Sequence, residues 1–154
     1  MSLFIATGTN LGDKKANLIK ARIELQKHFD LIAESRIYHS KAVDYEDQDD
    51  FYNQVLEFKV PNFSPDEIMK LLLKIEINFG RTRNIAKGPR IIDLDILFIN
   101  DLKIQTDLVN LPHPRLFERS FVVLPLCELP GFTKLKKSFN FPTQFSNQAT
   151  PISL

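Results

Sequence analysis

The chain has 154 residues, a length that predicts one domain spanning 1–154 and a core that needs neither disulfides nor a structural metal. Its 20 lysines and arginines nearly balance its 19 aspartates and glutamates, so a partner held mainly by charge, such as duplex nucleic acid or an anionic membrane, is not expected. The lone Cys127 sits in the apolar stretch FVVLPLCEL; a small buried residue is a more ordinary reading there than a catalytic thiol, and a single cysteine favours a reducing compartment.

The opening residues MSLFIATGTN carry no basic segment, and no apolar run is long enough to cross a bilayer. A cytoplasmic location is the expectation. SLFIAT (Ser2–Thr7) predicts a buried strand, closed by the turn cluster GTNLGD. Asp13 is positioned to cap a helix running to about Phe29, with Leu18, Ala21, Ile23 and Leu25 on its apolar face. LIAESRIYHS reads as a second strand of irregular alternation, and the acidic stretch Lys41–Asp50 as a loop.

Phe51–Val60 alternates well and predicts a third strand. Ser64, Pro65 and the acidic pair Asp66 and Glu67 mark a helix start. Ile68, Leu71, Leu72 and Ile75 form the core stripe of that helix, and Gly80 ends it. A basic loop, RTRNIAKGPR, leads into a fourth strand, IIDLDILFI. The dipeptide ND then turns the chain into a short partner strand at LKIQ. A mostly helical stretch follows LPHPR, with Pro125 near a helix start or kink. The tail, about 140–154, is expected to be loosely ordered. Two strand–helix–strand units predict an α+β fold, a ferredoxin-like βαββαβ sandwich with an added hairpin and a C-terminal helical segment. One face of its sheet is expected to stay partly open for a site.

The fourth strand holds the most informative residues. Side chains alternate along a strand, so Ile92, Leu94, Ile96 and Phe98 are expected on one face and Asp93 and Asp95 on the other. The α-carbons of the two aspartates then lie about 6.5–7 Å apart, where like charges repel. A wet edge strand explains such a pair without any function. The neighbourhood favours more: Arg81, Arg83, Lys87 and Arg90 precede it, and His113, Arg115 and Arg119 follow. Carboxylates for a hard divalent cation beside arginines for phosphate oxygens are the components of a phosphoryl-transfer site. Singly, Arg81 and Arg83 read as solvated loop charges, whereas Arg90, tethered after Gly88 and Pro89, reads as directed. His113 has no second histidine or cysteine at ligand spacing, so a hydrogen bond to phosphate suits it better than a metal. No glycine-rich phosphate-binding motif occurs anywhere in the chain.

These residues resemble a known family. KGPRIIDLDILF resembles the signature of the 6-hydroxymethyl-7,8-dihydropterin pyrophosphokinases, enzymes of folate biosynthesis. ATGTNLGD is similar to that family's opening turn, and DFYNQV and LPHPRLFERSFVVLPLCEL to two further blocks. The matches run in order from Ser2 to about Leu129. The resemblance implies the ferredoxin-like fold and transfer of pyrophosphate from ATP to the hydroxymethyl group of the dihydropterin, with AMP as leaving group. It implies that Asp93 and Asp95 hold two Mg2+ ions and that Arg81 and Arg90 grip the phosphates. His113 and Arg119 would add nucleotide contacts, in a region shared with Arg83, Lys87, Ile96 and Glu76. Phe51 and Phe121 would sandwich the pterin ring, Asn53 would read its polar edge, and Ser40 and Val43 would supply backbone contacts. On residues alone, Phe51 and Phe121 read as core packing.

The chain departs from the family pattern at Lys87 (where an aromatic is usual), Lys41 (a proline), Pro114 (a tyrosine) and Leu73 (a polar residue), and its loop Arg81–Arg90 is one residue shorter. These changes bear on nucleotide affinity and loop closure rather than on the metal ligands. Two other readings compete. An RNA-binding module of the same fold would show stacked aromatics in a basic, glycine-rich strand, and no such run is present. A scaffold-only relative would have no need of the intact aspartates and Arg90. The expected partners are therefore two small molecules, ATP and the pterin, acting on a monomer, with no nucleic acid and no membrane.

Overall fold

The structure is a computed structural model that describes residues 1–41, 49–80 and 91–152. Strand β1 (Ser2–Thr9) is followed by helix α1 (Lys14–Gln26), β2 (Leu31–Glu34), β3 (Tyr38–Ser40), β4 (Phe51–Lys59), α2 (Pro65–Asn78) and β5 (Asp93–Ile99). The order across the sheet is β5–β1–β4–β3, with β2 also on β4 and every pairing antiparallel. If β2 and β3 are counted as one interrupted strand, this is the ferredoxin-like order that the sequence predicts.

Local chemistry explains the elements. Asp13 caps α1 by accepting from the Ala16 N–H at 3.2 Å. Leu18, Ala21 and Leu25 are buried against the sheet, but Ile23 is exposed, because five residues from Leu18 at 100° each carry it off the apolar face. A full capping box starts α2: Ser64 Oγ accepts from Glu67 N–H, and Glu67 Oε1 accepts from Ser64 N–H, both at 3.1 Å. Gly80, at φ +84°, follows the last turn in the left-handed region that favours glycine. The irregular second strand breaks at Ser35. Its hydroxyl accepts from Val55 N–H at 3.0 Å while its own N–H donates to Val55 O. A side chain thus replaces a carbonyl in the ladder and splits the strand in two.

Two cores lie on opposite faces of the sheet. Leu3, Ile5, Leu56, Phe58, Leu94 and Ile96 pack under α1 and α2. Phe4, Val55, Leu97 and Phe98 pack against α3 (Ser120–Leu126) and α4 (Phe132–Ser138). The expectation that Phe98 shares a face with Ile96 is corrected here. A register shift pairs Phe4 with Phe98 but Ile5 with Ile96, so Leu97 is the extra residue of a bulge and Phe98 turns to the second core.

Three further expectations change. LKIQ does not pair with β5; β6 (Ile104–Gln105) pairs with β7 (Asn110–Leu111). The outer edge of β5 is already met by Glu76 at Leu94 N–H and by His113 N–H at Leu97 O. The tail is packed as far as it is described, to Ile152. Phe139, Phe141 and Phe145 pack on the second core, β8 (Ala149–Pro151) pairs with β3, and Ile152 N–H donates to Ile37 O. Aromatic burial and backbone pairing hold a segment that has no helical or strand period of its own. Cys127 is exposed rather than buried, since Val122, Val123 and Leu126 occupy the inward face of α3. Among the described residues, no helix is long and apolar enough to cross a membrane.

Candidate active site

Along the sheet face that carries the second core, the side chains change character. Phe4, Val55 and Leu97 lie at one end; Ala6, Gly8, Phe51, Asn53, Asp93 and Asp95 continue the same face at the other. The register sets the pattern. Gly8 on β1 lies between Asn53 on β4 and Asp93 on β5, and Ala6 lies between Val55 and Asp95. The smallest side chains thus occupy the central strand, and the polar ones flank them. The result is a cavity of about 400 Å³, a size that suits small-molecule ligands.

Asp93, Asp95, Glu76, His113, Arg119, Phe51, Asn53, Phe121 and Ser40 all line this cavity. They come from five separate parts of the chain. Ile96 does not line it: it is buried in the core beneath α1 and α2, and Leu94 reaches the cavity instead. Arg81, Arg83, Lys87, Arg90 and Val43 lie outside the described residues.

Each wall has its own support. Asp93 and Asp95 are half-buried on the end strand of the sheet, but the face they present is the cavity floor. Asn53 donates from Nδ2 to Ser40 Oγ at 3.2 Å, which orients its amide beside Phe51. The Arg119 guanidinium sits 5.8 Å from the ring centre of Phe121, a cation–π placement. Burial pushes the His113 imidazole below its usual range; Arg119 and Arg115 push the same way and Asp93 opposes them. His113 is therefore neutral near pH 7. Its Nδ1 accepts from Arg115 N–H at 3.4 Å, which leaves the ring proton at Nε2 for donation elsewhere. Glu76, buried on α2, accepts from Leu94 N–H at 2.8 Å.

Two half-buried carboxylates on one strand face suit a hard cation that takes oxygen ligands and keeps waters. Among the described residues, no group of three or more His, Cys, Asp or Glu side chains could hold a metal by itself. The aspartates fit magnesium that draws its remaining ligands from water and substrate phosphates.

Gly8, Ala6 and Met69 line the site as well, beyond the residues that the sequence points to. Met69, Leu73 and Glu76 are spaced i, i+4, i+7 and form one cavity-facing stripe of α2. That spacing is visible in the sequence but was masked by the stronger stripe through Ile68, Leu72 and Ile75.

The profile of the 7,8-dihydro-6-hydroxymethylpterin-pyrophosphokinase (HPPK) family matches residues 4–131. The chain belongs to this family. It is 41% identical over 128 residues to the 2-amino-4-hydroxy-6-hydroxymethyldihydropteridine pyrophosphokinase of Bacillus subtilis, covering 82% of this chain and 76% of that protein. It is 37% identical over 131 residues to the folic acid synthesis protein of Dictyostelium discoideum, covering 84% of this chain but 20% of the relative. Among solved structures, the HPPK-DHPS of Plasmodium falciparum with pterin and p-hydrobenzoate shares the fold at TM-score 0.60 and 14% identity, over 80% of this chain and 39% of that one. The chain thus spans about a fifth of the Dictyostelium protein and two fifths of the Plasmodium chain. The matched residues 4–131 take in every described wall of the cavity.

Proposed function

We propose that the chain transfers the terminal pyrophosphate of ATP to the hydroxymethyl group of 6-hydroxymethyl-7,8-dihydropterin and releases AMP. The observation that carries this is the meeting, in one cavity of a family member, of a strand-borne aspartate pair with an aromatic and amide pocket. Charge chemistry and flat-ring recognition lie side by side, as transfer to a heterocyclic alcohol requires.

In this reading Phe51 and Phe121 hold the pterin ring between them. Asn53, fixed by Ser40, reads its hydrogen-bonding edge, with Val43 adding a backbone contact. Asp93 and Asp95 hold two Mg2+ ions, which when bound neutralise triphosphate charge and ease ionisation of the attacking hydroxyl. Arg81 and Arg90 grip the phosphates and stabilise charge that develops during transfer. His113, neutral and protonated at Nε2, donates to a phosphate oxygen, while Arg119 supplies positive charge from above Phe121. Arg83 and Lys87 complete the nucleotide end. In this reading the chain acts as a monomer in the cytoplasm.

Incubation with ATP, magnesium and the hydroxymethyl-dihydropterin, followed by separation of nucleotides, tests the reading. AMP appearing with the pyrophosphorylated pterin is the expected result. ADP would mark an ordinary kinase, and an unchanged nucleotide pool would reject the proposal.

A further inference from the structure

Glu76 is an unusual residue for its place. It is 1% exposed, on a helix face that otherwise presents Met69 and Leu73 to the cavity. Its Oε2 accepts, at 2.8 Å, from the backbone N–H of Leu94, the residue between Asp93 and Asp95. Among the described residues, strand β5 ends the sheet and pairs only with β1. The N–H of Leu94 is thus an outer-edge donor that no described strand meets, and burial makes it costly to leave unmade. A side chain from α2 takes the place of the missing strand. Glu76 does not join Asp93 and Asp95 in a three-residue metal cluster, so it reaches the aspartates through backbone rather than through a shared ion.

We infer that Glu76 is a positioning residue: by pinning the Leu94 amide it fixes the spacing and direction of the two carboxylates that flank it. This inference rests on the proposal that Asp93 and Asp95 hold the cations of the reaction. The span between helix and strand sets what can replace it. Glutamine keeps an acceptor oxygen at the same reach and loses the charge. Aspartate keeps the charge and falls one methylene short.

The test measures Mn2+ binding, by loss of its free electron-spin signal, in the presence of a non-hydrolysable ATP analogue. Hydrogen exchange at the Leu94 amide is read in the same proteins without metal. Glu76→Gln is expected to keep Mn2+ affinity within about twofold and to keep Leu94 protected. Glu76→Asp is expected to lose about tenfold or more in affinity, the range for partners that orient metal ligands, together with Leu94 protection. Glu76→Asp matching the unaltered protein, or Glu76→Gln losing as much affinity as Glu76→Asp, overturns the inference. If Glu76→Asp does not fold, Glu76→Gln decides alone: retained affinity supports a role for the bond, and tenfold loss overturns it. Unaltered protein that binds Mn2+ and the analogue but releases no AMP from ATP would reject the pyrophosphokinase reading and leave this one standing.

Discussion

Gly8 stands opposite Asn53 in the β1–β4 register, and a Cβ on Gly8 would lie 2.7 Å from Asn53 Oδ1. That is closer than real contacts allow, and the neighbour that must yield is the amide proposed to read the pterin. Gly8→Ala is therefore expected to swing Asn53 off Ser40, raising the KM for pterin about tenfold or more while leaving the KM for ATP within about twofold. Steady-state kinetics with each substrate varied in turn checks this. Equal effects on both constants would place the damage in the fold rather than at the amide.

Asp95→Ala is expected to remove AMP release while leaving a folded protein. A metal contributes several kcal/mol of charge stabilisation in such transfers, so kcat should fall by about a thousandfold or more. Asp93 and Asp95 repel one another without a cation, so the melting temperature without magnesium should hold or rise. Circular dichroism melts with and without magnesium, beside an AMP assay, read both effects. Turnover at the unaltered rate would remove the aspartates from the chemistry.

Glu128, an acidic residue outside the cavity, ties the end of α3 to the sheet at the start of β3. It accepts from Arg36 N–H at 2.8 Å and Arg36 Nε at 3.0 Å, and from the Tyr38 hydroxyl. Burial pushes the Glu128 carboxyl up, but these hydrogen bonds outweigh it and the net shift is down. A lowered carboxyl pKa gives stability that is present above the unfolded value of about 4.3 and is lost as pH falls through the folded one. Tyr38, pushed up to about 12 by burial and by Glu128, adds stability that is present below the unfolded value of about 10 and is lost as pH rises from there. The stability gap between the unaltered protein and Glu128→Gln is expected to be a few degrees in melting temperature at pH 6–8 and to close toward pH 3. Thermal melts across pH measure it; a gap that does not change with pH would show that packing, not charge, holds this junction.

Asn147 works from the far end of the chain. Its Oδ1 accepts from Ser120 N–H at 2.8 Å and from Ser120 Oγ at 2.5 Å, and its Nδ2 donates to Glu118 O at 2.8 Å. It caps the start of α3, where no local side chain does so. Asn147→Ala should cost about 1–2 kcal/mol of stability and raise the KM for pterin, because Arg119 and Phe121 flank the capped residue. Urea titration and kinetics test the two effects separately. Unchanged stability would mean that water replaces the cap at no cost.

What sequence alone determined follows from forces that act over a few residues. The caps at Asp13 and Ser64, the stripe Ile68, Leu72 and Ile75, and the alternation that sets Asp93 and Asp95 on one face are all local, and so is the succession of two strand–helix–strand units. Tertiary structure decided the rest. The bulge at Leu97 depends on how β1 pairs, the order of the tail on aromatic burial against Phe98, and the cavity on Gly8 and Ala6 lying between strands that are distant in the chain. A residue's spacing along the chain fixes its face. Which groups share that face is set by register and by packing between remote segments, and one sequence does not display those contacts.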